Sequence, residues 1–178
     1  SRGLGDVYKR QILGQAFHRS LTGKESPRLG LLNVGEEEQK GHDYLRVASR
    51  RLSDPELGLN YQGFVEGSDI TNGQLDVVVT DGFSGNVALK MAEGISSMFT
   101  RLLRRSLNKS FLSRLGYLLA RGAQSEMRGH IDPRRYNGAV FLGLNGIAVK
   151  SHGGTDRIGF ANAINAVSYT HLRAHETD

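Results

Sequence analysis

Residues 75–80 read LDVVVT, and residues 81–86, which follow directly, read DGFSGN. The first stretch is rich in β-branched residues and predicts a strand. The second is polar, carries two glycines and opens a helical pattern, so it predicts a turn at the carboxyl end of that strand. Together they predict one strand-to-helix unit of an α/β fold.

The same order of apolar run, glycine-bearing polar turn and helical pattern occurs twice more. Residues 28–34 lead into GEEEQKG (35–41), and residues 147–150 lead into SHGGTD (151–156). Ligands of open α/β sheets bind just beyond the carboxyl ends of the strands. We therefore expect the three turns to meet in one crevice, whose amides, lysines, histidine and carboxamide suit a negatively charged substrate.

The remaining elements follow from apolar spacing. Asn145-Gly146 stands between apolar runs at 139–144 and 147–150 and predicts a tight hairpin, which would make the sheet mixed. Residues 60–65 predict a further short strand. Helices are predicted over 13–21, over 37–52 with three glutamates in its first turn, over about 84–107 with Ser84 as its cap, over the apolar stripe 111–119, and over about 156–166 with Thr155 as its cap.

The two ends of the chain do not fit this design. Residues 1–11 (SRGLGDVYKRQ) and 167–178 (VSYTHLRAHETD) show neither helical nor strand periodicity, and both resemble translated sequencing-adapter read-through. We interpret them as non-native segments outside the fold. The native part is then residues 12–166.

Composition excludes several classes of protein. The 178 residues include no cysteine, so the chain has no disulfide framework, thiolate metal site or cysteine nucleophile. No apolar stretch is long enough to cross a bilayer. Walker-type and dinucleotide-binding glycine fingerprints are absent, and the histidines lack metal-ligand spacing. We therefore expect no metal and no cofactor.

A basic amphipathic segment lies at about residues 95–135. Between Phe99 and Arg135 there are nine Lys or Arg residues against only Glu126 and Asp132, and the formal charge of the whole chain is +5. Such a block points to an acidic partner: a membrane lipid, a nucleic acid or an acidic protein. The alternative is a helix pair that packs its apolar stripe onto the core or onto a dimer mate.

Three blocks of the sequence, taken together, resemble one known family. They read LLNVGEEEQKG (31–41), FVEGSDITNGQLDVVVTDGFSGNVALK (64–90) and GLNGIAVKSHGGTD (143–156). In order and spacing they resemble the bacterial PlsX-type phosphate acyltransferases of phospholipid synthesis, over almost all of residues 12–166. The range is similar to the C-terminal half of that family's catalytic domain.

The resemblance implies a reaction, a fold and partners. It implies conversion of acyl-[acyl carrier protein] and inorganic phosphate to acyl phosphate and free carrier protein, in fatty acid and phospholipid biosynthesis. It implies a homodimer with a three-layer α/β/α fold and a mostly parallel, doubly wound sheet, like that of isocitrate and isopropylmalate dehydrogenases. It also implies a cytoplasmic enzyme, peripherally associated with an anionic membrane, that supplies a membrane glycerol-phosphate acyltransferase. A piece of such an enzyme can carry the site without being active alone.

The residues of the three turns suit this chemistry. Phosphate can itself attack a thioester carbonyl, so the protein need only position it and stabilise the developing oxyanion. Backbone amides at the starts of helices are suitable hydrogen-bond donors to a phosphate. We predict four catalytic residues, Lys40, Asn86, Lys90 and His152. The predicted substrate- and phosphate-binding residues are Asn33, Gly35, Glu36, Asp81, Gly82, Ser84, Gly85, Lys150, Gly153 and Gly154.

Each of these residues also has a plainer interpretation. Glu36 and Lys40 could form a surface ion pair on one helical face. Residues 81–86 could be ordinary turn and cap residues, and His152 could be structural. At the level of the whole protein, the alternatives are a phosphotransacetylase that uses acyl-coenzyme A and a non-enzymatic module that binds membrane surfaces. A nucleic-acid module is disfavoured, because the arginines lack neighbouring aromatic residues for stacking.

Overall fold

The computed structural model describes residues 2–122, 125, 126, 129, 138–151 and 154–165, with residues 2–6 and 8 described in their backbone only. These residues divide between two compact units. The first runs to Gly85 and includes Leu142–Asn145, and the second lies within Asn86–Phe141 and Gly146–Ser168. Each unit is described below by itself.

The first unit contains a parallel three-stranded sheet. Its strands are β1 (Leu29–Leu32), β2 (Tyr61–Val65) and β3 (Val77–Val79), in the order β2-β1-β3. Leu31 of β1 is paired with Phe64 on one side and with Val79 on the other. Leu29, Gly30 and Leu31 of the central strand are all buried, in agreement with the nearly continuous apolar run that the sequence shows. The three predicted strands are confirmed.

Two helices cover the sheet of the first unit. They are α1 (Arg2–Thr22) and α2 (Asp43–Leu52). Leu45, Ala48 and Leu52 recur at helical spacing on α2 and are buried, and they share a core cluster with Leu31 of the sheet. The other members of this cluster are Val7, Phe64 and Val79.

Helix α1 begins much earlier than the sequence predicts. The apolar spacing indicates a start near Leu13, but the helix begins at Arg2. Val7 and Gln11 are buried in the first unit, with 5% and 0% of their surfaces exposed. The segment that shows no periodicity in the sequence is therefore helical and contributes to the core. That residues 1–11 are non-native stays a prediction.

Helix α2 begins later than predicted, at Asp43 rather than Glu37. Gly41 has a φ of +80°, a left-handed conformation that a right-handed helix does not contain. Residues 35–41 are consequently a loop, and the three glutamates that the sequence places in a helical turn lie in it. We call residues 35–41 the β1–α2 loop.

The second unit contains helices and a strand pair. Helix α3 spans Gly82–Leu107, and α4 spans Phe111–Leu119. Because the first unit runs to Gly85, the first turn of α3 belongs to that unit. The Ser110 hydroxyl caps α4 by accepting a hydrogen bond from the Ser113 amide at 3.1 Å. Residues 157–165 are also helical. In the described part of the chain, no helix combines the length and the apolar character that crossing a membrane requires.

The strand pair corrects two expectations about the hairpin. Strands β4 (Ala139–Val140) and β5 (Val149–Lys150) are antiparallel, as predicted, but they form a separate sheet, so the three-stranded sheet is purely parallel. The pairing continues through a hydrogen bond from the Phe141 amide to the Ala148 carbonyl. A tight turn on Asn145-Gly146 would need positive φ at both residues, and neither of them has it. The connection is therefore longer than the dipeptide predicts.

Candidate functional site at the carboxyl edge of the parallel sheet

Polar side chains follow all three strands of the first unit at the points where the strands end. Asn33 comes directly after β1, Glu66 after β2, and Thr80 and Asp81 after β3. Because the strands are parallel, their carboxyl ends share one edge of the sheet. Since β1 is central, Asn33 occupies the middle of that edge, where α/β proteins bind ligands.

Asn33 is buried and is bonded within the β1–α2 loop. Its Nδ2 donates to the carbonyl oxygen of Gly35 at 3.1 Å and to that of Lys40 at 3.0 Å. Its Oδ1 is buried and accepts no hydrogen bond from any described group. A Cβ atom at Gly41 would collide with this oxygen. One carboxamide therefore joins the two ends of the loop, and glycine at residue 41 is required for both its φ and its size.

Lys40 lies at this edge between two carboxylates. Its Nζ is 2.8 Å from Glu37 Oε1, and its aliphatic chain crosses Gly35 so closely that a Cβ there would collide with it. The hydrogen bond to Glu37 is the main cause that raises the pKa of Lys40, and the charge of Glu66 raises it further. The same bond from Lys40 lowers the pKa of Glu37. The alternative in which Glu36 and Lys40 form an ion pair on one helical face is wrong, because this segment is a loop and Glu37 is the partner of Lys40.

Asp81 caps helix α3. Its Oδ1 accepts hydrogen bonds from the amides of Phe83 at 2.8 Å and Ser84 at 2.9 Å, and the interaction with Ser84 is the largest cause that lowers the pKa of Asp81. The prediction that Ser84 caps this helix is therefore wrong, and the cap is Asp81, three residues earlier. Two of the amides expected to bind an anion are already occupied by this carboxylate.

Gly85 allows helix α3 to approach the end of β3. A Cβ on Gly85 would lie 2.7 Å from Cγ2 of Thr80. The glycine in the DGFSGN turn is therefore explained by close packing rather than by a special backbone angle. Gly82, at the first position of the helix, has open space where a Cβ would stand.

The other candidates belong to the second unit or lie outside the described residues. Asn86 and Lys90 are exposed on α3, and Lys90 Nζ is 2.9 Å from Glu93 Oε2. Lys150 is exposed at the end of β5, and Gly154 is exposed after it. His152 and Gly153 lie outside the described residues. The expectation that Asn33, Asn86 and His152 share one rim stays a prediction.

Sequence reasoning missed Glu66 and Arg10. Glu66 follows the apolar run of β2 just as Asn33 and Asp81 follow theirs, so the same pattern could have identified it. Arg10 donates from Nη1 to the Thr80 carbonyl at 3.2 Å, at the end of β3. No periodic signal marks Arg10, because it lies in residues 1–11, which show neither helical nor strand periodicity.

This edge of the sheet can accept an oxyanion at Lys40. The lysine is bound to a carboxylate that is itself exposed, so an incoming phosphate can replace Glu37 as its partner. Glu66 adds a second carboxylate, whose charge acts on Lys40. Among the described residues, no group of three or more histidine, aspartate or glutamate side chains could hold a metal ion.

The parallel sheet and its lysine-bearing loop define an α/β protein that presents polar loops at its strand ends. The chain belongs to the fatty acid synthesis protein family, whose model matches residues 6–172. The resemblance read from the three sequence blocks is confirmed.

Three curated relatives of this chain are named phosphate acyltransferase. The phosphate acyltransferase of Rhodospirillum centenum is 55% identical over 157 residues, which cover 88% of this chain and 44% of that relative. That of Granulibacter bethesdensis is 56% identical over 154 residues, or 86% of this chain and 42% of the relative. The phosphate acyltransferase of Caulobacter vibrioides is 53% identical over 157 residues, which cover 88% of this chain and 44% of that relative. The chain therefore spans less than half the length of these relatives.

Proposed function

We propose that this chain is part of an enzyme that converts acyl-[acyl carrier protein] and inorganic phosphate to acyl phosphate and free carrier protein. The observation that carries the proposal is identity above one half, across 86–88% of the chain, to proteins named phosphate acyltransferase. A phosphate oxygen attacks the thioester carbonyl, the carbon–sulfur bond breaks, and the thiolate of the carrier leaves and takes up a proton. The reaction needs no cysteine in the protein, in agreement with the composition.

The carboxyl edge of the parallel sheet supports this reaction. Lys40 supplies positive charge for the phosphate, and it belongs to the β1–α2 loop at the end of the central strand. We infer that Asn86, Lys90, Lys150 and His152 complete the site in the whole protein. We also infer that the chain is the C-terminal part of the catalytic domain, in a doubly wound, three-layer α/β/α fold of the isocitrate dehydrogenase type. The purely parallel order β2-β1-β3 is compatible with such a sheet.

We propose further that the enzyme is a cytoplasmic homodimer that associates peripherally with anionic membranes. Helix α4 supports this proposal, because Phe111, Leu112 and Leu119 are each about 80% exposed. Helix α3 adds Arg101, Arg104 and Arg105, all exposed. An amphipathic, basic helix pair of this kind suits an anionic lipid surface. A membrane glycerol-phosphate acyltransferase is the expected recipient of the product.

The activity is tested on the full-length protein that contains this chain. Purified protein is incubated with long-chain acyl carrier thioester and inorganic phosphate, and acyl phosphate is trapped with hydroxylamine and measured. A parallel assay replaces the acyl carrier thioester with acetyl-coenzyme A. Folded protein that forms no acyl phosphate from either substrate would overturn the proposal, and turnover of acetyl-coenzyme A alone would make it a phosphotransacetylase.

The limits of the native chain are a separate proposal. We propose that residues 12–166 are native and that the flanking segments are not. The genomic sequence around this reading frame tests it: continuation of the genomic frame through SRGLGDVYKRQ would contradict the assignment at the amino end.

A further inference from the structure

Asn33 has no free donor to offer a substrate. A carboxamide nitrogen carries two hydrogens, and Nδ2 of Asn33 makes two hydrogen bonds, to the carbonyls of Gly35 and Lys40. The backbone amide of Asn33 donates to the carbonyl of Val65 at 2.9 Å. The remaining polar atom of the side chain, Oδ1, is buried and lies against Gly41. A phosphate at the carboxyl edge of the sheet therefore cannot contact an unused donor of Asn33.

The two bonds of Asn33 determine where Lys40 lies. The carbonyl oxygens of Gly35 and Lys40 both point at one nitrogen, and without that donor these two acceptors would repel one another. Closing the loop this way fixes the backbone of Lys40 beside the end of β1. Its side chain then extends across Gly35 to reach Glu37.

We propose that Asn33 is a positioning residue: it holds Lys40 at the carboxyl edge of the sheet, where Lys40 binds the phosphate, and it does not bind the phosphate itself. This inference rests on the proposed function. It replaces the expectation that Asn33 belongs to the phosphate-binding residues. A substitution at Asn33 should then affect phosphate binding only by changing the position of Lys40.

Asn33→Asp in the full-length protein tests the proposal. An ionised aspartate has the shape of asparagine but no hydrogen to donate, so it faces two carbonyl oxygens and releases the loop. We expect KM for phosphate to rise on the order of tenfold, because the hydrogen bond between the charged lysine and phosphate is weakened. KM for the acyl thioester should change less than about twofold.

The pH dependence of the variant distinguishes positioning from general damage. A protonated aspartic acid regains one hydrogen, which can bond to either carbonyl. The KM for phosphate of the variant should therefore recover partly towards the wild-type value as the pH is lowered, with wild type measured at each pH. Asn60→Asp is the matched control. Asn60 also donates from Nδ2 to a backbone carbonyl, that of Ser26, but it precedes β2 at the opposite edge of the sheet.

A double-mutant cycle with Lys40→Met decides the route of the effect. If Asn33 acts through Lys40, Asn33→Asp adds nothing to the KM of the Lys40→Met protein, and the two effects are non-additive. Additive effects, or an unchanged KM for phosphate in folded Asn33→Asp protein, would overturn the proposal.

A measurement on wild type covers the case in which Asn33→Asp does not fold. Inorganic phosphate is titrated into isotope-labelled protein, and the signals of the Asn33 carboxamide and the Lys40 side chain are followed by NMR. We expect the Lys40 signals to move and the Asn33 carboxamide to stay protected from hydrogen exchange. Movement of the Asn33 carboxamide with loss of that protection would overturn the proposal. Because this titration needs no turnover, its outcome is separate from failure of the proposed acyl transfer.

Discussion

At the scale of single residues, Asp76 joins the amino ends of β1 and β3. Its Oδ2 accepts hydrogen bonds from Lys24 Nζ at 2.6 Å and from the Arg28 amide at 2.7 Å. The side-chain bond of Arg28 is the largest cause that holds the pKa of Asp76 far below its usual value, followed by that of Lys24. This cluster lies at the edge of the sheet opposite the candidate site, so it serves stability rather than chemistry.

Asp76→Asn should lower the free energy of unfolding at pH 7 by about 1 to 2 kcal/mol, because charged hydrogen bonds are lost. The folded-state pKa lies below the unfolded one, so the contribution is complete above an unfolded pKa of about 4 and is lost as the pH falls towards the folded pKa. The wild type should therefore lose more stability than the variant between about pH 5 and pH 2. Urea unfolding, followed by circular dichroism at each pH, measures the free energy of unfolding of wild type and variant.

Glu25→Gln is the control for the Asp76 experiment. Glu25 pairs with Arg19 at 2.8 Å, but its side chain is 87% exposed. Exposed pairs contribute little, so the expected loss is under about 0.5 kcal/mol. A pH dependence that is identical in wild type and Asp76→Asn would contradict the assigned role of Asp76.

Gly41→Ala tests the shape of the β1–α2 loop. Alanine at positive φ costs about 1 to 2 kcal/mol by itself, and at residue 41 the new Cβ would also collide with Asn33. Gly58→Ala is the matched control, because Gly58 has a φ of +58° but open space around it. Chemical unfolding should show a clearly larger loss for Gly41→Ala, and equal losses would contradict the packing described here.

At the scale of elements, the strands follow from local signals and the loops do not. The local sequence predicted β1, β2 and β3 within about two residues at each end. The predicted start of α2 was wrong because three glutamates look like a helical first turn, whereas the chain closes a loop there through the contact of Asn33 with Lys40, seven residues further on. Such a contact leaves no periodic signal. The positions of Asn33 and Asp81 at strand ends were predictable, but the atoms that they bind were not.

Asp81→Ala should shorten or weaken the start of α3. Loss of a helix cap costs about 1 kcal/mol, while Asp81→Asn keeps an oxygen that can accept from Phe83 and Ser84. Because the folded pKa of Asp81 is lowered, its contribution is present above the unfolded pKa and declines as the pH falls. Hydrogen exchange of the amides of Phe83 and Ser84 reports the change. Exchange that is unaffected in Asp81→Ala would show that the cap does not hold this turn.

At the scale of the whole molecule, exposed apolar side chains concentrate on α3 and α4, and α3 ends in exposed arginines. Arg104 and Arg105 are exposed, and neither guanidinium makes an ion pair with a described residue. Among described residues, the salt bridge found on α3 is Lys90 with Glu93, near the other end of the helix. The end of α3 therefore carries exposed positive charge.

Replacing both Arg104 and Arg105 with glutamine should weaken binding to anionic vesicles. Each basic residue near such a surface contributes about 1 kcal/mol, so the pair should cost roughly 30-fold in affinity. Cosedimentation of the full-length protein with phosphatidylglycerol-containing vesicles measures this. The charge-matched control replaces Arg50 and Arg51, exposed at the end of α2. An equal loss in both double variants would contradict a specific role for α3.

The order β2-β1-β3 has a practical consequence for anyone who produces this polypeptide by itself. Within the described residues, β2 and β3 each have one side that adjoins no further strand. Such strand edges present unpaired backbone N–H and C=O groups, with which another chain can form hydrogen bonds. Concentrated preparations of the isolated polypeptide should therefore be checked for oligomers by light scattering before any solution measurement is interpreted.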